Sequence, residues 1–174
     1  LAYYNRAEIS RINGDFDSAI KDFTESIRLD PEYSSTYNSR ASCYQSLQET
    51  DKALQDYARA LELDPNQSIY HNNRGFTFDS LEQYEQAIQN YDNAIELNPN
   101  YASAYANRGS TYYETDNFDA ALSDLDKAIS LDNSMDEAFY NRALINEEQG
   151  DIDQAITDYA RAIELNPETS VYHN

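Results

Sequence analysis

The sequence predicts an all-α fold, a right-handed superhelical solenoid of antiparallel helix pairs, on three observations. First, residues recur in columns 34 apart: Arg6, Arg40, Arg74, Arg108 and Arg142; Ala19, Ala53, Ala87, Ala121 and Ala155; Leu29, Leu63, Leu97, Leu131 and Leu165. A fixed period of this length marks units that stack only on their neighbours around a continuous core. Second, each period carries two stripes of helical spacing separated by short breaks. Third, all four prolines, Pro31, Pro65, Pro99 and Pro167, fall at one place in the period.

With Arg6 and its counterparts at position 7, the repeats run 1–33, 34–67, 68–101, 102–135 and 136–169, and 170–174 begin a sixth. The expectation is one solenoid domain over 1–174, cut from a longer protein. In the third repeat Tyr70, His71, Arg74, Gly75, Phe78 and Leu81 form the stripe of a first helix, A. Tyr84, Ala87, Ile88, Tyr91, Ala94, Ile95 and Leu97 form that of a second, B. Neither helix buries its stripe alone, so the pair packs antiparallel and stacks on the next pair.

Between A and B, Gly14 and Gly150 stand at position 15, where positive φ ends helix A. Asp15 with Asp17, Asp116 with Asp119, and Asp151 with Asp153 cluster at these turns. Lacking the spacing of a calcium loop, they are read as caps on the start of helix B. After B comes proline at position 32, whose ring stops the helix. Gly75 and Gly109 at position 8 imply close approach to the alanine at position 20, because glycine inside a helix costs about 1 kcal/mol against alanine.

The formal charge of −20, from 32 acidic against 12 basic residues, repels phosphate backbones and anionic lipid. Nucleic acid and membrane are therefore not expected partners, and basic proteins are steered in. No apolar run approaches the roughly 18 residues of a membrane span. The single Cys43 excludes an internal disulfide framework and reads as core. His71 and His173 share a position otherwise aromatic, so both are read as structural. The chain has no His-Glu-x-x-His, Cys-x-x-Cys or phosphate-cradling loop. Neither catalysis nor a cofactor or metal is expected. Asn66-Gln67-Ser68 is a glycosylation sequon, of consequence only in a secreted eukaryotic protein.

The repeated residues resemble the tetratricopeptide repeat. Aromatics stand at position 4 (Tyr3, Tyr37, Tyr105, Phe139), at 11 (Tyr44, Phe78, Tyr112) and at 24 (Phe23, Tyr57, Tyr91, Tyr159). A small residue is at 8, Ala at 20 and 27, and Pro at 32. His71 and His173 depart from this at position 4, Ser10 and Asn146 at 11, and Leu125 at 24. The Asn-Arg-Gly/Ala run at positions 6 to 8 resembles one common variety.

The resemblance implies a non-catalytic protein-interaction scaffold whose A helices line a concave groove that holds a peptide segment of a partner. Carried over to this sequence, the groove contains Asn5, Asn38, Asn72, Asn73, Phe76, Asn107, Ser110, Tyr113, Tyr140, Asn141 and Leu144, with Glu114, Glu137 and Glu147 nearby. Side-chain amides both donate to and accept from a peptide backbone. The relatives that clamp an acidic chaperone tail carry Lys at positions 2 and 5 and Arg at 6. Here position 5 holds Tyr4, Asn38, Asn72, Ala106 and Tyr140, so a neutral or basic segment is favoured. The alternative is a structural spacer or oligomerisation module acting through the ends of the array.

Two further expectations concern packing. Asp22, Asp56, Asp124 and Asp158 lie 16 residues after Arg6, Arg40, Arg108 and Arg142, which predicts an Arg–Asp pair in each of those repeats. In repeat three Asn90 takes the place of the aspartate. At the C-terminal end Ile156, Tyr159 and Ile163 are expected to lack cover, favouring fraying or end-to-end self-association.

Overall fold

A computed structural model describes residues 1–169, and among these there are ten α-helices and no strand. The expected start of a sixth repeat, 170–174 with His173, lies outside the described residues. Helices A are α1 (Ala2–Ile12), α3 (Ser34–Ser46), α5 (Ser68–Asp79), α7 (Ala102–Glu114) and α9 (Asp136–Gln149). Helices B are α2 (Phe16–Leu29), α4 (Thr50–Leu63), α6 (Tyr84–Leu97), α8 (Phe118–Leu131) and α10 (Ile152–Leu165). The chain divides into two compact units, Leu1–Gln83 with α1 to α5 and Tyr84–Asn174 with α6 to α10.

In the first unit α1 packs on α2, α2 on α3, α3 on α4 and α4 on α5. Ala7, Ala19 and Phe23 form one buried cluster with Cys43, and Ala41, Ala53 and Tyr57 form the next. Burial pushes the Cys43 thiol up to about 11. In the second unit α6 packs on α7, α7 on α8, α8 on α9 and α9 on α10. Its core gathers Ala106, Ala121, Leu125, Ala128, Ala138 and Ile145. Gly109 is needed here, because a Cβ would lie 3.0 Å from Leu125 Cγ and 3.2 Å from the Ala121 carbonyl oxygen. The close approach to position 20 is thus present, although the nearest atom belongs to the leucine at position 24. Leu81 does not extend the A stripe: α5 stops at Asp79 and Leu81 is exposed in the turn.

Position 15 is left-handed in all five turns, with φ of 77° at Gly14, 60° at Gln48, 58° at Glu82, 58° at Asp116 and 81° at Gly150. The next residue's N–H then reaches back to the carbonyl five positions earlier in the motif that closes a helix. Examples are Asp15 to Ser10 at 2.9 Å and Glu49 to Tyr44 at 2.8 Å. Asp15 and Asp151 cap helix B as expected, accepting from Ser18 N at 3.2 Å and Gln154 N at 3.3 Å. Asp116 does not. It occupies the left-handed position itself, one residue before the N-cap Asn117.

After helix B a side-chain turn precedes the next repeat. The Oδ1 of Asp30, Asp64, Asn98 and Asp132 accepts from the backbone N–H two residues on, at 3.3, 3.4, 3.1 and 3.0 Å. In repeats two and three the position-4 side chain reaches back to the proline six residues before it. Tyr37 Oη donates to the Pro31 carbonyl at 3.2 Å, and His71 Nε2 lies 3.1 Å from that of Pro65. His71 therefore does the structural work of the tyrosine it replaces.

Candidate functional site

In repeats two, four and five the arginine column ties the A helix to its own B helix and to the one before. Arg40 Nε and Nη2 bond both oxygens of Asp56 at 2.7 and 2.8 Å, Arg108 those of Asp124 at 2.7 and 2.8 Å, and Arg142 those of Asp158 at 2.8 and 2.7 Å. Arg6 makes the same fork to Asp22 from a largely exposed position. The remaining Nη1 reaches 16 residues back, to Thr24 at 3.0 Å from Arg40 and to Asp126 at 2.6 Å from Arg142, with Arg108 meeting Asp92 in the same way.

Rings flank these guanidinium groups, Tyr37 and Tyr44 at 5.9 and 5.8 Å from Arg40 and Tyr105 and Tyr112 at 5.7 and 5.8 Å from Arg108. The bond to Asp124 raises the pKa of Arg108 further, and that to Asp158 raises Arg142. In repeat three Asn90 Nδ2 donates to the Gln86 carbonyl at 2.7 Å. In the other four repeats the arginine is structural.

In the first unit neighbouring A helices touch, α1 with α3 and α3 with α5. Asn73 Nδ2 donates to Asn38 Oδ1 at 3.1 Å, so two of the expected groove amides bond each other across repeats. Asn72 is buried and its amide lies 3.5 Å from Asn73 Oδ1. Asn5 is exposed, and Phe76 presents half of its surface to solvent. Arg11 is held by Glu8 at 2.8 Å, and Tyr4 packs edge-on against Tyr33 at 5.2 Å between centroids.

In the second unit α7 touches α9. Asn107, Ser110 and Tyr113 on the first, and Tyr140, Asn141 and Leu144 on the second, are all half-buried. Tyr113 Oη donates to Glu148 Oε1 at 2.9 Å, and Tyr159 Oη to Glu147 Oε2 at 2.7 Å. Tyr140 packs on Tyr159 with centroids 5.7 Å apart and planes tilted by 56°. Burial, with the Glu148 carboxylate adding to it, pushes the Tyr113 hydroxyl up to about 12. Burial and Glu147 likewise raise Tyr159. Both hydroxyls stay protonated at neutral pH and donate to carboxylates. Glu148 and Tyr159 were not among the groove residues that the resemblance implied. Glu148 stands at position 13 of its repeat, the same position as Glu114, and that shared position could have pointed to it.

The tetratricopeptide repeat profile matches residues 1–33, 34–67 and 136–169. The chain belongs to the tetratricopeptide repeat family. A second profile of that name matches 57–89, and one described as TPR repeat matches 78–116 and 109–150. Repeats of this family are protein-interaction scaffolds, and the fold here is an all-α helical solenoid of that kind. No curated protein matches the chain.

Among solved structures, MamA is 25% identical over 93% of this chain and 95% of its own, with a TM-score of 0.79. PilF of Pseudomonas aeruginosa is 18% identical over 98% of this chain and 78% of its own, at 0.90. YrrB, described as a TPR protein with an unusual peptide-binding site, is 21% identical over 98% of this chain and 88% of its own, at 0.73. The last two establish likeness of fold alone.

Proposed function

We propose that the A-helix faces hold a neutral or basic peptide segment of a partner protein, without catalysis, in a solenoid read as one domain over 1–174. The observation that carries this reading is the second unit's face. There Tyr113 and Tyr140 offer half-buried aromatic surface beside the amides of Asn107 and Asn141. Glu114, Glu137, Glu147 and Glu148 are exposed on the same helices. Amides fix a backbone in either direction, and aromatics supply the few anchoring contacts that dominate peptide affinity. In the first unit Asn5, Asn38, Asn73 and Phe76 extend the same chemistry, with Asn72 acting through Asn73. The test is a random peptide library selected on the protein, followed by affinity for Asn107→Ala combined with Tyr113→Ala. Binding should fall at least about tenfold at unchanged helicity. Undiminished binding, with loss on changing exposed helix-B residues instead, would overturn the assignment.

A second reading, self-association through the ends, is favoured by one observation. Ile9 is 62% exposed, whereas Cys43, Thr77, Thr111 and Ile145 at the same repeat position are fully buried. At the other end Ile152 and Ile156 are 51% and 61% exposed. A helix from a second copy would give these residues the cover that stacking gives their counterparts.

A further inference from the structure

Glu147 and Glu148 are successive residues of α9, and their partners among the described residues are the tyrosine hydroxyls of Tyr159 and Tyr113. The ion pairs of the second unit, Arg108 with Asp92 and Asp124, Arg142 with Asp126 and Asp158, and Arg161 with Glu164, do not include them. Each tyrosine hydroxyl occupies one carboxylate oxygen and leaves the other for a donor from outside, since an ionised carboxylate accepts at two oxygens. The Tyr140 ring, tilted on Tyr159, lies with them, and Tyr140 is near enough to help raise the hydroxyl pKa of both Tyr113 and Tyr159.

The same parts already hold a guanidinium elsewhere in this chain. Arg108 lies over Tyr105 and Tyr112 at 5.7 and 5.8 Å while carboxylates of Asp124 and Asp92 take its N–H groups. Two aromatic rings and two carboxylates, the recipe of that internal cradle, recur on α7 and α9 in Tyr113, Tyr140 and the exposed Glu147 and Glu148. The glutamates repeat a structural contact only in part. Tyr57 Oη makes the equivalent bond to the neutral Gln45 at 3.0 Å, so the position requires an acceptor but not a negative charge.

We infer that Tyr113, Tyr140, Glu147 and Glu148 form a subsite for an arginine side chain of the bound segment. Its guanidinium stacks on the tyrosine rings and donates to the two glutamates. This rests on the groove reading given above and adds the residue that the groove selects. Arginine fits better than lysine because its planar group both stacks and forks onto carboxylates.

The probe is Nα-acetyl-arginine methylamide, titrated against protein carrying ¹³C-labelled tyrosine rings, with the neutral isostere Nα-acetyl-citrulline methylamide as the control. The arginine probe should shift the Tyr113, Tyr140 and Tyr159 ring signals. The citrulline probe should bind at least about fivefold more weakly, as expected for losing a cation–π and a charged contact. Glu147→Gln with Glu148→Gln, both at exposed positions, should weaken the arginine probe about fivefold to tenfold and leave the citrulline probe unchanged. Equal binding of the two probes, indifference to the double glutamine change, or tighter binding of the lysine analogue would overturn the subsite. Library peptides bound at these helices without regard to arginine would remove the subsite and spare the groove. An arginine probe that behaves as stated while no library peptide binds would sustain the subsite and remove the groove.

Discussion

Replacing Arg142 by alanine should cost far more than removing an exposed charge does. Asp158 is 1% exposed and receives both arms of the Arg142 fork, at 2.7 and 2.8 Å. Without the arginine its carboxylate keeps only Gln154 Nε2 at 3.1 Å and Asn146 Nδ2 at 3.4 Å. Two amide contacts do not offset the desolvation of a buried anion. Two charged hydrogen bonds at about 1.5–3 kcal/mol each, and the measured range for breaking a buried pair, agree on a loss of about 3–5 kcal/mol. Asp126→Asn removes the third arm, to a carboxylate 63% exposed, and should cost at most about 1 kcal/mol. Arg142→Met with Asp158→Leu removes both charges and should recover most of the loss.

Repeat arrays need not unfold in one step, so the measurement is native-state hydrogen exchange of α9 and α10 amides, with urea titration beside it. Equal losses for Arg142→Ala and Asp126→Asn, or a loss below about 1 kcal/mol for the former, would refute the buried-pair argument.

Other outcomes follow from the same contacts. Gln48→Gly, at a φ of 60°, should stabilise the first unit by about 0.5–1 kcal/mol, since glycine relieves a left-handed strain that exceeds its entropic cost; chemical denaturation reads it. Gly109→Ala should destabilise by about 1 kcal/mol despite alanine's better helix propensity, because the Ala121 carbonyl 3.2 Å away is backbone; thermal melting reads this one. Cys43, held protonated by burial up to about 11, releases its proton in the unfolded chain first. Stability should therefore fall as pH rises from about 9 toward 11, and Cys43→Ala should flatten that slope in urea titrations at several pH values. Ile9→Glu with Ile156→Glu should abolish any concentration-dependent association in sedimentation; a chain monomeric at high concentration would dispose of the end-to-end reading.

What could be read from the sequence was whatever repeats with one residue type. The 16-residue spacing from arginine to aspartate foretold the fork within a repeat, because one A–B hairpin places positions 7 and 23 together. The backward arm was not foretold: its acceptors are Thr24, Asp92 and Asp126, a mixed column that no single pattern exposes. Gly14 and Gly150 announced a left-handed turn, but Gln48, Glu82 and Asp116 take the same φ without glycine. Asp116 was misread as a cap because aspartate is favoured at both places. The Asx turn after helix B was visible as Asp30, Asp64, Asn98 and Asp132, and was overshadowed by the proline beside it. On the candidate faces sequence position named the residues but not their bonding. That Asn73 spends its amide on Asn38, and that Glu147 and Glu148 are held by tyrosine hydroxyls, depends on side-chain placement that spacing does not encode.

The most direct test of the binding account is paramagnetic relaxation by a spin-labelled peptide selected from the random library, read residue by residue on the protein. The account predicts broadening centred on Asn107, Ser110, Tyr113, Tyr140, Asn141 and Leu144 of α7 and α9, sparing the exposed Asp126 and Lys127 of α8 and weakening as salt screens the glutamates beyond about 8 Å. Broadening centred on α8, with the α7 and α9 faces untouched, would contradict it.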